Sequence, residues 1–376
     1  MNLERTRNLL ERGIDDGTQV GAQLSVSYAG EVADLALGIA APGNGGDAVP
    51  MTTDSMMIWF SMSKATCAVA VAQQWELGRL GLDDLVVRYL PAFGAHGKDH
   101  ITLRHLLTHT GGFRFADGFL ESWPWRESMA DSVARINAAK PERDWAPGMR
   151  AGYHPTSGMA ILGAIVETVD GRTYDRYVRE AIFEPLGMDD CWVGMPPERF
   201  AEYGDRIGVM HRTVTAPPKP MTIDNPAATA NPMPGANGRG PMRQLRRLYE
   251  MFLGEGTRDG VEILEPTTVA AISARHRTEL LDETFGVVLD WGLGLAIDSY
   301  AMGRHCSRRA FGHGGMESSA AFCDPEFGVA VAVVCNGMPG GERHHLRMDA
   351  IATAVYEDLG LAQGEGRDHV YPVSAG

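Results

Sequence analysis

Ser61-Met62-Ser63-Lys64 sets a hydroxyl and an amine three residues apart, at the head of an apolar run that ends at Gly78. A serine hydroxyl is a poor nucleophile until a base takes its proton. Residues three apart share a helix face, so Lys64 neighbours Ser61 while Ser63 points elsewhere. The positive end of the helix favours an anionic oxygen at Ser61. That potential, with partial burial, also pushes an amine towards its neutral, proton-accepting form. Arginine cannot serve here, because it stays charged. The choice of lysine stands out: among 34 basic residues only Lys64, Lys98, Lys140 and Lys219 are lysines. The chemistry on offer is acyl transfer through a serine. Taken alone, the four-residue pattern is explained as well by a capped helix carrying a surface lysine.

Other candidates read more plainly. His105 and His109 are four apart, a spacing that suits a metal pair, but no H-E-x-x-H and no third ligand accompanies them. No metal and no cofactor is therefore expected. His344-His345 reads as a solvated helix start, and Asp54 as support for the loop before Ser61. Trp123 and Trp125 either line an acyl pocket or fill a helical lobe, with the pocket favoured. There is no G-x-S-x-G, so a strand-to-helix nucleophile elbow is not supported.

The elements that must position Ser61 follow from periodicity. Residues 3–14 form an amphipathic helix, and 22–40 a β-hairpin turning at Ala29-Gly30. From Ser61 to about 200 the pattern is helical: 61–77, a short helix capped by Thr102, 157–171 closing on glycine, and one from Tyr174 broken at Pro185. Residues 214–241 make a long proline-rich loop, of the kind that is usually functional or mobile. Helices return at 242–253 and 266–276. Strand-like runs follow in "WGLGLAID", "RRAFGHGG", "SSAAFCD" and "GVAVAVVCN", with D-P-E-F-G as a hairpin connection, and a helix at about 343–359 comes last. The simplest packing is α+β. The terminal hairpin and late strands join in one antiparallel sheet flanked by the terminal helices, giving a sheet lobe (1–60 and 205–376) beside a helical lobe (61–204). A cleft between them suits a small molecule.

Composition sets the partners. A net charge of -14 with no basic run argues against nucleic acid. No stretch is long and apolar enough to cross a bilayer, and the N-terminal residues alternate charged and apolar without a secretory h-region. Five scattered cysteines show no metal spacing and read as buried thiols. The expectation is a cytoplasmic protein acting on a small-molecule acyl substrate, with no membrane partner; oligomeric state is not legible.

Several stretches together resemble one family. Ser61-Met62-Ser63-Lys64, "ITLRHLLTHTGGF", "AGYHPTSGMAILGAIVETVDG", "EPLGMDD" and "FGHGGMESSAAFCDPEFGVAVAVVCNG" are similar to motifs of the serine β-lactamase and penicillin-binding-protein superfamily. The likeness is on the side of class C β-lactamases and family VIII carboxylesterases, and covers about residues 10–360. It implies the β-lactamase/transpeptidase-like fold. It also implies an acyl-enzyme on Ser61, with Lys64 and Tyr153 sharing the general-base role. The oxyanion would lie between the N–H groups of Ser61 and Met316. His313, Gly314 and Gly315 would stand where lactamases carry K-T-G, with the two glycines leaving the strand open to substrate. Two departures weaken β-lactam recognition. Pro155 replaces an asparagine-type donor, and His313 replaces a permanent cation with a group mostly neutral at pH 7. The leading expectation is an esterase. An acyltransferase using the same intermediate comes next, then a β-lactamase or D,D-peptidase, then an inactive binding module.

Overall fold

The computed structural model describes residues 1–43, 47–118 and 128–373 of the 376-residue chain. Its centre is an eight-stranded antiparallel sheet. In chain order the strands are β1 (Gly21–Tyr28), β2 (Glu31–Ala41), β3 (Val49–Pro50), β4 (Asp290–Trp291), β5 (Ala296–Ile297), β6 (Phe311–Gly315), β7 (Ser319–Asp324) and β8 (Val329–Cys335). The spatial order is β4-β5-β6-β7-β8-β1-β2-β3. The first hairpin thus completes a sheet whose other half comes from the far end of the chain, with Val26 opposite Val331 and Ala22 opposite Cys335. Its turn residues, Ala29 and Gly30, both have positive φ (51° and 79°), the geometry that matches the twist of the two strands.

Alternation along the strands builds two cores. Leu24 and Val26 of β1, with Val329, Val331 and Val333 of β8, face helices α1 (Glu4–Asp15) and α5 (Gly341–Asp358). Each such buried side chain contributes about 1.5–3 kcal/mol. Ala330, Ala332 and Val334 face the other way, into the larger core under α4 (Met242–Leu253). On that face two polar residues of β1 are satisfied by α4: Gln23 Oε1 accepts from Met242 N (3.2 Å) and Ser25 Oγ from Arg246 Nε (2.8 Å).

The helices that carry the site are α2 (Lys64–Glu76) and α3 (Ser157–Asp170), which pack on each other. Gly171 ends α3 in the left-handed region (φ 90°). Gly163 sits inside α3, where glycine costs about 0.5–1 kcal/mol relative to alanine. The reason is contact: a Cβ there would meet Pro234 Cγ at 2.5 Å. The proline-rich segment therefore lies directly on the helix.

Some expectations needed correction. The segment from Tyr174 is α-helical only to Val178, then makes a π turn over Arg179–Phe183. Glu184 N bonds back to Arg179 O, just before Pro185, which has no N–H to continue an α ladder. "WGLGLAID" is two short strands around a tight turn, because Gly294 (φ 86°) brings the chain against α2, where a Cβ would lie 3.0 Å from that of Ala68. His344 and His345 are buried, not solvated; His345 packs on Tyr300 and Tyr371. Among the described residues no helix is long and apolar enough to cross a membrane, and the five cysteines are free and buried.

Candidate active site

A short strand, Met57–Phe60, delivers the chain to Ser61. It pairs with Gly238–Gly240, which in turn pairs with Trp192–Val193. Phe60 then turns with φ 50° and ψ -130°, a conformation worth about 1–3 kcal/mol of strain for a residue with a side chain. The turn is clamped by Ser63, whose Oγ donates to Phe60 O (2.5 Å) and accepts from Gly238 N (2.8 Å). Ser63 is thus structural, and partly buried Ser61 is the hydroxyl left at the helix start.

Lys64 is fully buried one turn on. Its Nζ lies 3.1 Å from Ser61 Oγ, 2.6 Å from Pro155 O and 2.9 Å from Gly235 O. The two carbonyls can only accept. An ammonium there donates to all three oxygens; a neutral amine would give its two N–H bonds to the carbonyls and turn its lone pair towards Ser61 Oγ. Burial pushes Lys64 down from the usual lysine range to about 7; Asp117 and Cys67 pull the other way without overcoming it.

Tyr153 comes from the segment before α3. Its ring lies under Lys64 Nζ (4.8 Å to the centroid) and stacks on Phe285 (4.7 Å, 29°). Burial raises its pKa above the ordinary tyrosine value, partly offset by a hydrogen bond with Ser61. The structure therefore brings Ser61, Lys64 and Tyr153 together.

His313 in β6 is 7% exposed, and its ring centroid lies 5.9 Å from that of Tyr153. Nδ1 donates to Gly314 O (2.6 Å), which leaves Nε2 as the bare nitrogen. Burial, then the charge of Lys64, hold His313 down at about 3, so it is neutral at pH 7. Gly315 packs against the nucleophile turn: a Cβ there would lie 2.5 Å from Trp59 O and 3.4 Å from Phe60 Cβ. Gly314 faces open space apart from Ser319 O at 3.7 Å. Met316 follows directly, half-buried at the edge of the core. Trp123 and Trp125 lie outside the described residues. His105 is spent on capping, exchanging hydrogen bonds with Thr102. His109 accepts the N–H of His154 and packs edge-on against Trp291.

Sequence reasoning missed the two carbonyls that orient Lys64. A glycine inside an apolar helix, Gly163, was the available signal that a loop approaches there.

Residues 6–356 match the family described as Beta-lactamase. The chain is 27% identical over 315 residues to the Esterase/beta-lactamase LipL of Mycobacterium tuberculosis, covering 77% of this chain and 71% of that protein. Among solved structures, a penicillin-binding protein homologue from Caulobacter crescentus superposes with a TM-score of 0.78 at 28% identity, covering 95% of this chain and 97% of the other. A family VIII carboxylesterase superposes with a TM-score of 0.76 at 25% identity, covering 93% and 96%. On a match that spans nearly the whole chain, the protein belongs to the beta-lactamase family.

Proposed function

We propose that the protein is a serine hydrolase that cleaves carboxylic esters through an acyl-enzyme on Ser61. The observation that carries this reading is the 3.1 Å contact of the buried Lys64 Nζ with Ser61 Oγ, while Pro155 O and Gly235 O accept N–H bonds from the same amine. Ser61 Oγ attacks the acyl carbon as Lys64 takes its proton. The oxyanion is held by the N–H groups of Ser61 and Met316. When the C–O bond of the ester breaks, the leaving alkoxide takes the phenolic proton of Tyr153, and Lys64 returns its proton to the phenolate. Water then repeats the sequence and frees the acid. LipL, whose name gives it both activities, and the family VIII carboxylesterase support the ester reading. Five free, buried cysteines support a reducing, cytoplasmic setting.

Substrate preference follows from what surrounds the serine. Pro155 offers a carbonyl already spent on Lys64, and neutral His313 offers no fixed cation to a carboxylate. Losing such partners costs roughly 10²-fold in selectivity. Short-chain p-nitrophenyl esters should therefore be cleaved at least about 10²-fold better than nitrocefin, by kcat/KM. A nitrocefin value equal to or above the ester value overturns the ester reading. Weak hydrolysis that rises when an alcohol or amine is added, with the acylated acceptor as product, replaces it with acyl transfer.

A further inference from the structure

Tyr153 is held by a buried carboxylate from a distant segment. Asp282, fully buried, uses one oxygen, Oδ1, to accept three main-chain N–H bonds: from Tyr153 (3.0 Å), Thr284 (3.0 Å) and Phe285 (3.1 Å). The first fixes the backbone that carries the phenol. The third fixes the ring on which the phenol stacks. Thr284 Oγ1 closes the loop by donating to Tyr153 O (3.0 Å), and Glu283 N donates to Ala151 O (2.9 Å). The other oxygen, Oδ2, accepts from Arg277 Nη2 (3.1 Å). Arg277 is equally buried, and its remaining donors reach Thr108 O (3.1 Å) and Leu289 O (3.4 Å).

A lone buried carboxylate is costly, and a pair like this often contributes little net stability. Its geometry is more selective than stability requires, since a single oxygen binds both the residue that carries the phenol and the residue that packs on it. We propose that Asp282 is the positioning residue for the Tyr153 phenol, with Arg277 as its ion-pair partner. This rests on the proton-donating role assigned to Tyr153 above.

The electrostatic consequence has a sign. The groups that face the phenol are Lys64 and Ser61 from the nucleophile turn and α2, His109, His313 from β6, Tyr300, and Asp282. Asp282 supplies the negative charge in that set and adds to burial in keeping the phenol protonated. Glu283 turns outward to Arg150.

The test compares Asp282→Asn with Arg277→Gln. Asparagine keeps an acceptor for the three N–H bonds but removes the charge and leaves Arg277 uncompensated. Tyr153 ionisation is read by ultraviolet difference absorbance, as the signal lost in Tyr153→Phe, without reference to turnover. Asp282→Asn should lower that ionisation, while burial still holds it above the ordinary tyrosine value of about 10, with kcat for esters down about tenfold or more and KM within about twofold. Arg277→Gln should not lower it, because Asp282 and its three N–H bonds are retained. Ionisation falling alike in both variants means general loosening and overturns the proposal, as does an Asp282→Asn protein with unchanged ionisation and kcat. If Asp282→Asn does not fold, Arg277→Gln decides: a phenol that ionises early there overturns the proposal, and one that stays protonated supports it. If Tyr153→Phe is fully active, the reading of Tyr153 fails, while the absorbance result still reports on Asp282.

Discussion

Lys64 and His369 are both buried basic side chains, and the protein treats them in opposite ways. Lys64 meets a hydroxyl and two carbonyls, partners without charge, and burial brings it down to about 7. His369, on the segment after the last helix, lies between two carboxylates, with Nε2 3.5 Å from Asp298 Oδ1 and Nδ1 3.8 Å from Asp349 Oδ1. Burial would push it down too, but Asp298 and Asp349 outweigh burial and hold it up at about 11. Arg367 completes that cluster with a fork onto Asp298 (2.7 and 2.9 Å). The difference lies in whether the neighbours offer dipoles or charges. Dipoles that only accept can orient an amine while leaving it free to gain and lose a proton. Carboxylates fix the charge and turn the group into a tie between segments.

The largest effect tests the reactive side of this contrast. Ser61→Ala should abolish ester turnover, by about 10⁴-fold or more, and with it covalent labelling by a fluorophosphonate. Lys64→Arg should lose as much as Lys64→Ala, at least about 10²-fold, although it keeps the positive charge. An active Lys64→Arg enzyme would mean that charge, not proton acceptance, is what the position supplies. Next comes Tyr153→Phe, also expected to cost about 10²-fold. Combined with Lys64→Ala it should lose far less than the product of the two. Steady-state kinetics of the four proteins decide this, and multiplicative losses would separate the two roles.

Much of this was legible in the sequence where the signal is local. The hairpin at Ala29-Gly30, the helix from Ser61 to Gly78 and the Ser61–Lys64 spacing depend on residues close together in the chain. Tyr153 and His313 were legible through motif likeness, since their partners lie far away in sequence. The carbonyls of Pro155 and Gly235 were not legible. A main-chain acceptor has no residue-type signature, and these two lie 91 and 171 residues from Lys64. The same holds for Asp282 and the Asp298 cluster, whose charges look like ordinary surface residues until the fold buries them. His344 and His345 misled because two polar residues at a helix start usually face water, whereas here Tyr300 and Tyr371 cover His345.

A smaller effect tests how the dipoles are held. Gly163→Ala improves helix propensity but pushes on Pro234, next to the Gly235 carbonyl. Ester kcat/KM should fall by about tenfold, because small displacements at a reacting group are expensive. Unchanged kinetics would show that the Gly235 contact is dispensable.

The smallest effect on catalysis is expected at the charged cluster. His369→Gln should leave Ser61 labelling intact and lower stability by roughly 3 kcal/mol at pH 6, the cost of breaking a buried pair. The sign with pH is fixed by linkage. A histidine raised to about 11 contributes fully below its unfolded value of about 6.5 and loses that contribution as pH rises towards 11. The gap in urea midpoint between wild type and His369→Gln should therefore narrow from pH 6 to pH 10. A gap that widens would contradict the charge assignment.

Lys64 should gain and lose its proton near neutral pH. With four lysines in the chain, ¹³C labelling at lysine Cε gives four NMR signals to follow against pH. One signal, absent from Lys64→Arg, should titrate near 7, and the acid limb of kcat/KM should fall at the same pH. Four signals that all titrate above 10 would show that Lys64 stays an ammonium at neutral pH, and would contradict its assignment as the base.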